Sequence, residues 1–165
     1  MGNRVTMAKK KQLHDQEEFF VLNAEKVEVN KTVHVEIHDL IKRINDQENK
    51  KEGIVSPEFQ VGDTSFTVKV YPQDWREDSK EYIAVYLHND EKENVTATFN
   101  FKHASGAEET HENREFKADD GFGTNMFLSH KAYNEWAKDH GDVFKMKVQI
   151  TLHIEKGPAQ WTRNR

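Results

Sequence analysis

Residues 56–87 read SPEFQVGDTSFTVKVYPQDWREDSKEYIAVYL and contain two runs in which apolar and polar residues alternate. The apolar members of these runs are Phe66, Val68, Val70, Ile83, Val85 and Leu87. Alternation with a period of two predicts strands that have one face on a core and the other toward solvent. Pro72 ends the first strand, because proline cannot donate to a strand ladder. The stretch therefore predicts two strands joined by the polar connection 73–80.

The same pattern predicts further strands on both sides of this stretch. They lie at residues 33–38, 55–61, 95–101, 108–116 and 144–154. The last is the clearest, with six apolar residues in unbroken alternation, and residues 108–116 are typical of a polar edge strand. Seven to eight short strands separated by turns predict an all-β protein, an antiparallel β-sandwich. Its expected core contains Phe66, Val68, Ile83, Val85, Leu87, Phe99, Val148 and Ile150.

Two segments predict helices. Residues 129–140 can form one short amphipathic helix, because Ser129 can cap its first turn and Gly141 can end its last. Residues 15–22 begin with an N-terminal capping pattern and predict the start of another short helix. Residues 42–52 are almost wholly charged or polar and predict a solvated loop.

Length and composition indicate one folded domain with extensions. The chain has 165 residues, 35% of them hydrophobic, and no cysteine, which excludes disulfides and thiolate chemistry. No apolar run approaches the roughly 18 residues that span a bilayer, and no signal-peptide core is present, so we expect an intracellular protein. We predict a basic flexible N-terminus and extension at 1–32, a domain at 33–155 and a tail at 156–165.

Charge is uneven along the chain. Residues 1–11 contribute +4 to the net charge of −5, which leaves −9 on residues 12–165. An acidic body repels nucleic acid, so we expect no nucleic-acid partner. The basic head matches the N-myristoylation pattern, with Gly2 as the lipidation candidate. A myristoyl chain beside the lysines at 9–11 would supply the two signals that stable membrane attachment needs.

No group of residues is typical of an enzyme. His34, Glu36 and His38 share one strand face and could ligate zinc, but ligands along one strand diverge, and the alternative is that they face water. The sequence DDGFG at 119–123 favours a turn, because adjacent acids repel phosphate. We interpret the nine histidines as solvated surface. The sequence therefore predicts no catalysis, no metal and no cofactor.

Several pieces of the sequence resemble, in their order and spacing, a MATH domain, one of the TRAF-like sandwiches. They are SPEF (56–59), FTVKVYP (66–72), YIAVYL (82–87), VTATFNF (95–101), GFGTNMF (121–127) and the last strand. The resemblance covers about residues 33–155 and implies a TRAF-like sandwich that recognises short extended peptides in partner proteins. Family members usually couple this module to ubiquitin chemistry, which implies an adaptor in ubiquitin pathways or signalling.

Within the family, the pieces are distantly similar to the substrate-binding domain of the speckle-type POZ protein, where a peptide lies in a shallow aromatic groove. The resemblance places peptide-binding residues at Tyr82, Phe99, Arg114, Phe122, Gly123 and Thr124. Tyr82 and Phe99 keep the aromatic character of that groove, whereas Phe122 replaces a tryptophan, and Arg114 and Thr124 replace aromatics. An arginine at this place predicts an acidic or phosphorylated residue in the ligand.

The residues themselves predict a site on one of the same strands. Tyr82, Ala84 and Tyr86 face away from the apolar side and would form an exposed aromatic stripe, suited to a peptide that adds as a strand. The alternative is that residues 19–22 (FFVL) cover that stripe. We therefore expect a peptide-binding module, with a membrane-tethered scaffold as the alternative. It would bind proteins through short linear motifs as a monomer or weak oligomer. It would be cytoplasmic, or peripheral at a membrane if Gly2 is lipidated, with the nucleus left open.

Overall fold

The computed structural model describes residues 12–22, 26–46, 52–74 and 76–155, with side chains from residue 17 to residue 154. The strands are β1 (Gln12–Leu22), β2 (Lys26–His38), β3 (Ile54–Val55), β4 (Phe59–Val61), β5 (Thr64–Tyr71), β6 (Tyr82–Asn89), β7 (Val95–His103), β8 (Glu108–Phe116), β9 (Gly121–Ser129) and β10 (Val143–Glu155). The helices are α1 (Leu40–Ile44) and α2 (His130–His140), with a 3₁₀ turn at Glu77–Ser79. None of the described helices is long and apolar enough to cross a membrane. The lipidation candidate Gly2 lies outside the described residues, so that role stays a prediction.

The strands form two antiparallel sheets. Sheet I has the order β1-β2-β10-β7-β8, and sheet II has the order β3-β5-β6-β9, with β4 also paired to β5. This arrangement confirms the predicted antiparallel β-sandwich. The described residues form ten strands rather than seven to eight, because β1 and β9 are additional and the strand predicted at 55–61, with its break at Pro57, forms two strands, β3 and β4.

The core lies between the two sheets and is formed by the alternating apolar residues. All eight predicted core residues are buried, which confirms the face assigned to each strand. Phenylalanine rings join the sheets across the core. The Phe116 ring of β8 lies 5.9 Å from the Phe66 ring of β5 and 5.5 Å from the Phe99 ring of β7.

The helix predicted over residues 15–22 is wrong. These residues belong to β1, which pairs with β2 in antiparallel register, with Phe20 opposite Val29. A capping pattern predicts only how a helix would begin, whereas pairing with β2 satisfies backbone groups along one edge of residues 17–22. The partner strand is itself longer than predicted, because β2 begins at Lys26.

The solvated loop predicted at residues 42–52 is wrong at its start, because α1 continues to Ile44. This short helix buries Leu40 and Ile44, one turn apart, against the core. Five residues are too few to leave a helical period in the sequence, which explains why the pattern did not predict α1.

The helix predicted at residues 129–140 is confirmed as α2. The backbone N–H of Ala132 donates a hydrogen bond to Ser129 Oγ at 3.0 Å, so Ser129 caps the first turn as expected. Gly141 follows the last turn at a φ of 89°, a conformation that glycine adopts without strain. The buried Tyr133 donates a hydrogen bond to Asp142 Oδ1 at 2.8 Å, and burial raises the pKa of the Tyr133 phenol.

Candidate functional site

Two edge strands lie beside each other on one side of the sandwich. β8 is the last strand of sheet I, β9 is the last strand of sheet II, and the two strands are in contact. β8 and β9 each have an outer edge with which no strand of the described sheets pairs. Such an edge can accept an extended segment as an additional strand. We call this region, with Arg114, Phe122, Gly123 and Thr124, the β8–β9 edge.

Arg114 and Phe122 come together across the β8–β9 edge. The guanidinium carbon of Arg114, on β8, lies 5.7 Å from the centroid of the Phe122 ring, on β9. This is the geometry of a cation–π contact. The Phe122 ring is half-buried and meets the buried Phe116 ring edge-on at 4.9 Å. An exposed arginine therefore lies over an aromatic ring that is anchored to the core.

Gly123 and Thr124 follow Phe122 on β9. A Cβ at Gly123 would overlap the backbone oxygen of Val85 and would lie 2.7 Å from the Cα of Tyr86. Only glycine allows β9 to approach β6 this closely, beside a register shift between Ile83 and Val85. The half-buried Thr124 accepts a hydrogen bond from the backbone N–H of Met126 at 3.2 Å.

Phe99 does not reach the surface. It is 1% exposed, and its ring stacks on the His111 ring with centroids 4.9 Å apart and an interplanar angle of 13°. His111 and Phe116 therefore cover Phe99, which supports the β8–β9 edge from inside the core. Its predicted contact with a peptide would require these rings to move.

Tyr82 lies apart from the other predicted site residues. It is half-buried at the start of β6, opposite Ser129, whereas Gly123 lies opposite Tyr86 near the other end of the pair. The structure therefore does not bring Tyr82 together with Arg114 and Phe122. A role for Tyr82 in peptide binding stays a prediction.

The exposed aromatic stripe predicted on β6 is wrong. Ala84 is fully buried and Tyr86 is half-buried. The connection after β5 is held over this face, because Arg76 donates a hydrogen bond to the Tyr86 hydroxyl at 3.0 Å and Asn125 Nδ2 donates to Ser79 Oγ at 3.0 Å. The alternative covering by residues 19–22 is also wrong, since β1 belongs to sheet I.

Sequence reasoning missed His111. This residue of β8 lies opposite Phe99 and is buried, and neither ring nitrogen has a hydrogen-bond partner among the described residues. Burial lowers the pKa of His111, although Glu109 Oε2 lies 3.7 Å from Nε2 and acts in the opposite direction. Alternation in the sequence did not mark His111 as buried, because β8 changes register beside Asn113, which has a φ of 50°. This break interrupts the alternation of buried residues between His111 and Phe116.

His34, Glu36 and His38, the three residues considered as zinc ligands, lie on the outer face of sheet I, opposite the buried row of β2. Glu36 Oε1 and His38 Nε2 are 3.7 Å apart, and His34 and Glu36 line an open groove of about 670 Å³ between β2, β10 and β7. In the described part of the chain, no three His, Asp or Glu side chains are grouped as metal ligands. These residues are partly exposed, in keeping with the alternative that they face water.

Comparison with known proteins identifies the family. The family model of the MATH domain matches residues 32–150, which is more than half of the chain and includes strands of both sheets. No curated protein matches the chain. MATH domains are protein-interaction modules rather than enzymes, which agrees with a sandwich whose outermost strands have an edge that no described strand pairs with. The finer similarity to the speckle-type POZ protein stays a prediction. The chain belongs to the MATH domain family.

Proposed function

We propose that this MATH domain binds an extended segment of a partner protein at the β8–β9 edge. The observation that carries the proposal is the contact of Arg114 with Phe122, on two adjacent strands that both end their sheets. A bound segment could pair its backbone with an outer edge while its side chains reach Arg114 and the exposed Met126. This geometry supports recognition of a short linear motif.

The ligand should carry an acidic or phosphorylated residue near Arg114. Arg114 forms no ion pair with any residue that the structure describes, and its side chain is exposed. Guanidinium groups bind carboxylate and phosphate oxygens through charge-assisted hydrogen bonds. The Phe122 ring holds the guanidinium in place, so less conformational entropy is lost when an anion binds. We extend the proposal to an adaptor role in ubiquitin pathways or signalling, which rests on the family resemblance.

Selection from a random peptide display library tests this site. Peptides enriched on the wild type are measured by fluorescence anisotropy against Arg114→Glu and against Lys145→Glu, which reverses a charge on the outer face of sheet I. We expect Arg114→Glu to weaken binding at least tenfold and Lys145→Glu to leave it unchanged. Amide chemical shifts should move along β8 and β9. Equal affinity for both variants, or shifts confined to another face, would contradict the proposed site.

A further inference from the structure

Four consecutive apolar side chains are exposed on β1. Phe19 is 56% exposed, Phe20 61%, Val21 41% and Leu22 68%. Elsewhere in the described ranges, only Val55 and Met126 are large hydrophobic residues exposed to a similar degree. Single exposed apolar residues are ordinary on protein surfaces, but a contiguous group marks an interaction surface.

Both faces of β1 are apolar at this group. Phe19 lies opposite Asn30 on the outer face of sheet I, whereas Phe20 lies opposite the buried Val29 on the inner face. Val21 follows Phe19 in the outer row, and Leu22 follows Phe20 in the inner row. β1 is also the last strand of sheet I, and no strand of the described residues pairs with its outer edge. Unpaired backbone groups and two apolar rows therefore occur on the same strand.

A partner must cover both faces of β1 to bury this apolar group. A helix or a flat membrane surface would bury only one of the two faces, whereas a strand along the outer edge continues both rows. That strand must itself be apolar on both faces, and β1 meets this requirement. We propose that two copies of the chain pair through β1, antiparallel, about a two-fold axis near Phe20.

The acidic residues beside the apolar group set the direction of pairing. Glu17 and Glu18 directly precede Phe19. In an in-register parallel pair each glutamate would lie about 5 Å from its own copy, and like charges directly opposite destabilise a sheet. Antiparallel pairing about Phe20 places Phe19 opposite Val21 and moves the two copies of Glu18 to opposite ends of the apolar group. The same carboxylates disfavour an anionic membrane as the occupant.

The proposed pair leaves the β8–β9 edge free. β8 is at the opposite end of sheet I from β1, so the two copies of sheet I would form one continuous sheet with a β8–β9 edge on each side. The inference therefore goes beyond the proposed peptide binding and does not depend on it. A partner with two motifs would bind such a dimer more tightly than the monomer through effective concentration.

Sedimentation velocity from micromolar to millimolar concentration tests the pairing with two matched variants. Val21 on β1 and Val55 on β3 are 41% and 43% exposed, and both belong to strands that end a sheet. We expect a monomer–dimer equilibrium in the wild type and in Val55→Lys, and a Kd at least tenfold higher in Val21→Lys, because lysine on an edge opposes strand pairing. Thermal unfolding confirms that both variants fold.

Single cysteines test the direction, because the chain has none of its own. In an antiparallel pair only the residue on the two-fold axis lies opposite its own copy, whereas in an in-register parallel pair every residue does. We expect disulfide-linked dimers from Phe20→Cys under mild oxidation and none from Glu18→Cys or Leu22→Cys. Cross-linking of all three variants would overturn the antiparallel arrangement.

Two outcomes of the sedimentation experiment would overturn the pairing itself. A wild type that stays monomeric at millimolar concentration excludes the dimer. In that case, a larger loss of thermal stability in Val21→Lys than in Val55→Lys would indicate that another segment of the same chain covers β1. Equal dissociation by both variants would place the dimer contact on a different surface.

Discussion

His103 lies at the end of β7, where the fold gives a titratable side chain an apolar environment. Its ring centroid is 4.7 Å from that of Phe144 and 4.8 Å from that of Trp136. The backbone N–H of Ser105 donates a hydrogen bond to Nδ1 at 3.0 Å, while Nε2 has no hydrogen-bond partner among the described residues. Burial lowers the pKa of His103 from 6.5 to about 4. The folded protein therefore keeps this imidazole neutral where the unfolded chain protonates it.

This difference in pKa predicts a loss of stability in acid. The stabilising contribution is complete above about pH 6.5 and is lost as the pH falls toward 4, because only the unfolded chain takes up the proton in that range. At about 1.4 kcal/mol per pKa unit, the difference between 6.5 and about 4 corresponds to roughly 3–3.5 kcal/mol. His103→Asn keeps an acceptor for Ser105 but does not titrate. Between pH 7 and pH 4.5 the free energy of unfolding should decrease in both proteins. We expect the decrease to be about 2 kcal/mol smaller in His103→Asn than in the wild type.

Urea denaturation at the two pH values measures this effect, and His140→Asn, at an exposed position, serves as the matched control. The same pH dependence in wild type and His103→Asn would contradict the assignment. Sequence analysis could have found this residue, since His103 follows Phe101 at the next alternating position of β7. The interpretation of the histidines as solvated surface is wrong for His103 and for His111, both of which are buried.

At the scale of secondary structure, alternation predicts a strand where one face is buried and the other solvated. β7 and β10 meet this condition, and β5 and β6 keep an unbroken apolar row on the core side although their other faces are partly covered, so all four strands are predicted from sequence. β1 does not, because its residues 19–22 are exposed and apolar on both faces. β9 does not, because it begins with Gly121-Phe122-Gly123 at an edge. β1 is placed by pairing with the adjacent β2, and β9 by pairing with the distant β6, and neither pairing leaves a period-two pattern in the strand's own sequence. For the same reason, the hydrogen bond from Asn125 to Ser79 that holds the connection over β6 could not be predicted.

Gly123 offers a test of how β9 packs on β6. A methyl group at this position would overlap the Val85 backbone oxygen, and backbone atoms of a paired strand cannot move aside cheaply. We expect Gly123→Ala to lower the free energy of unfolding by about 3 kcal/mol, at the upper end for overpacking. Gly121→Ala, on the same strand, meets no atom closer than 3.3 Å and should cost at most about 1 kcal/mol. Similar costs for the two variants in urea denaturation would show that β9 does not approach β6 as described.

At the scale of the whole molecule, aromatic rings determine whether the two sheets behave as one unit. Phe116 belongs to β8 of sheet I, and its ring contacts Phe66 of sheet II, Phe99 of sheet I and Phe122 at the candidate site. It therefore lies where the core, both sheets and the β8–β9 edge meet. Stability of the sandwich and order at this edge should be coupled through this side chain.

Replacing Phe116 by alanine tests that coupling. The side chain is fully buried, so the loss of apolar contacts and the resulting cavity should lower the free energy of unfolding by about 3–5 kcal/mol. Phe20→Ala removes the same atoms from an exposed position and, at low micromolar concentration, should stay within about 0.5 kcal/mol of the wild type. A single urea transition with an unchanged m-value is expected in both variants, because one core serves both sheets. Two separate transitions in Phe116→Ala would show instead that each sheet retains structure without the other, and the β8–β9 edge would then depend on local contacts alone.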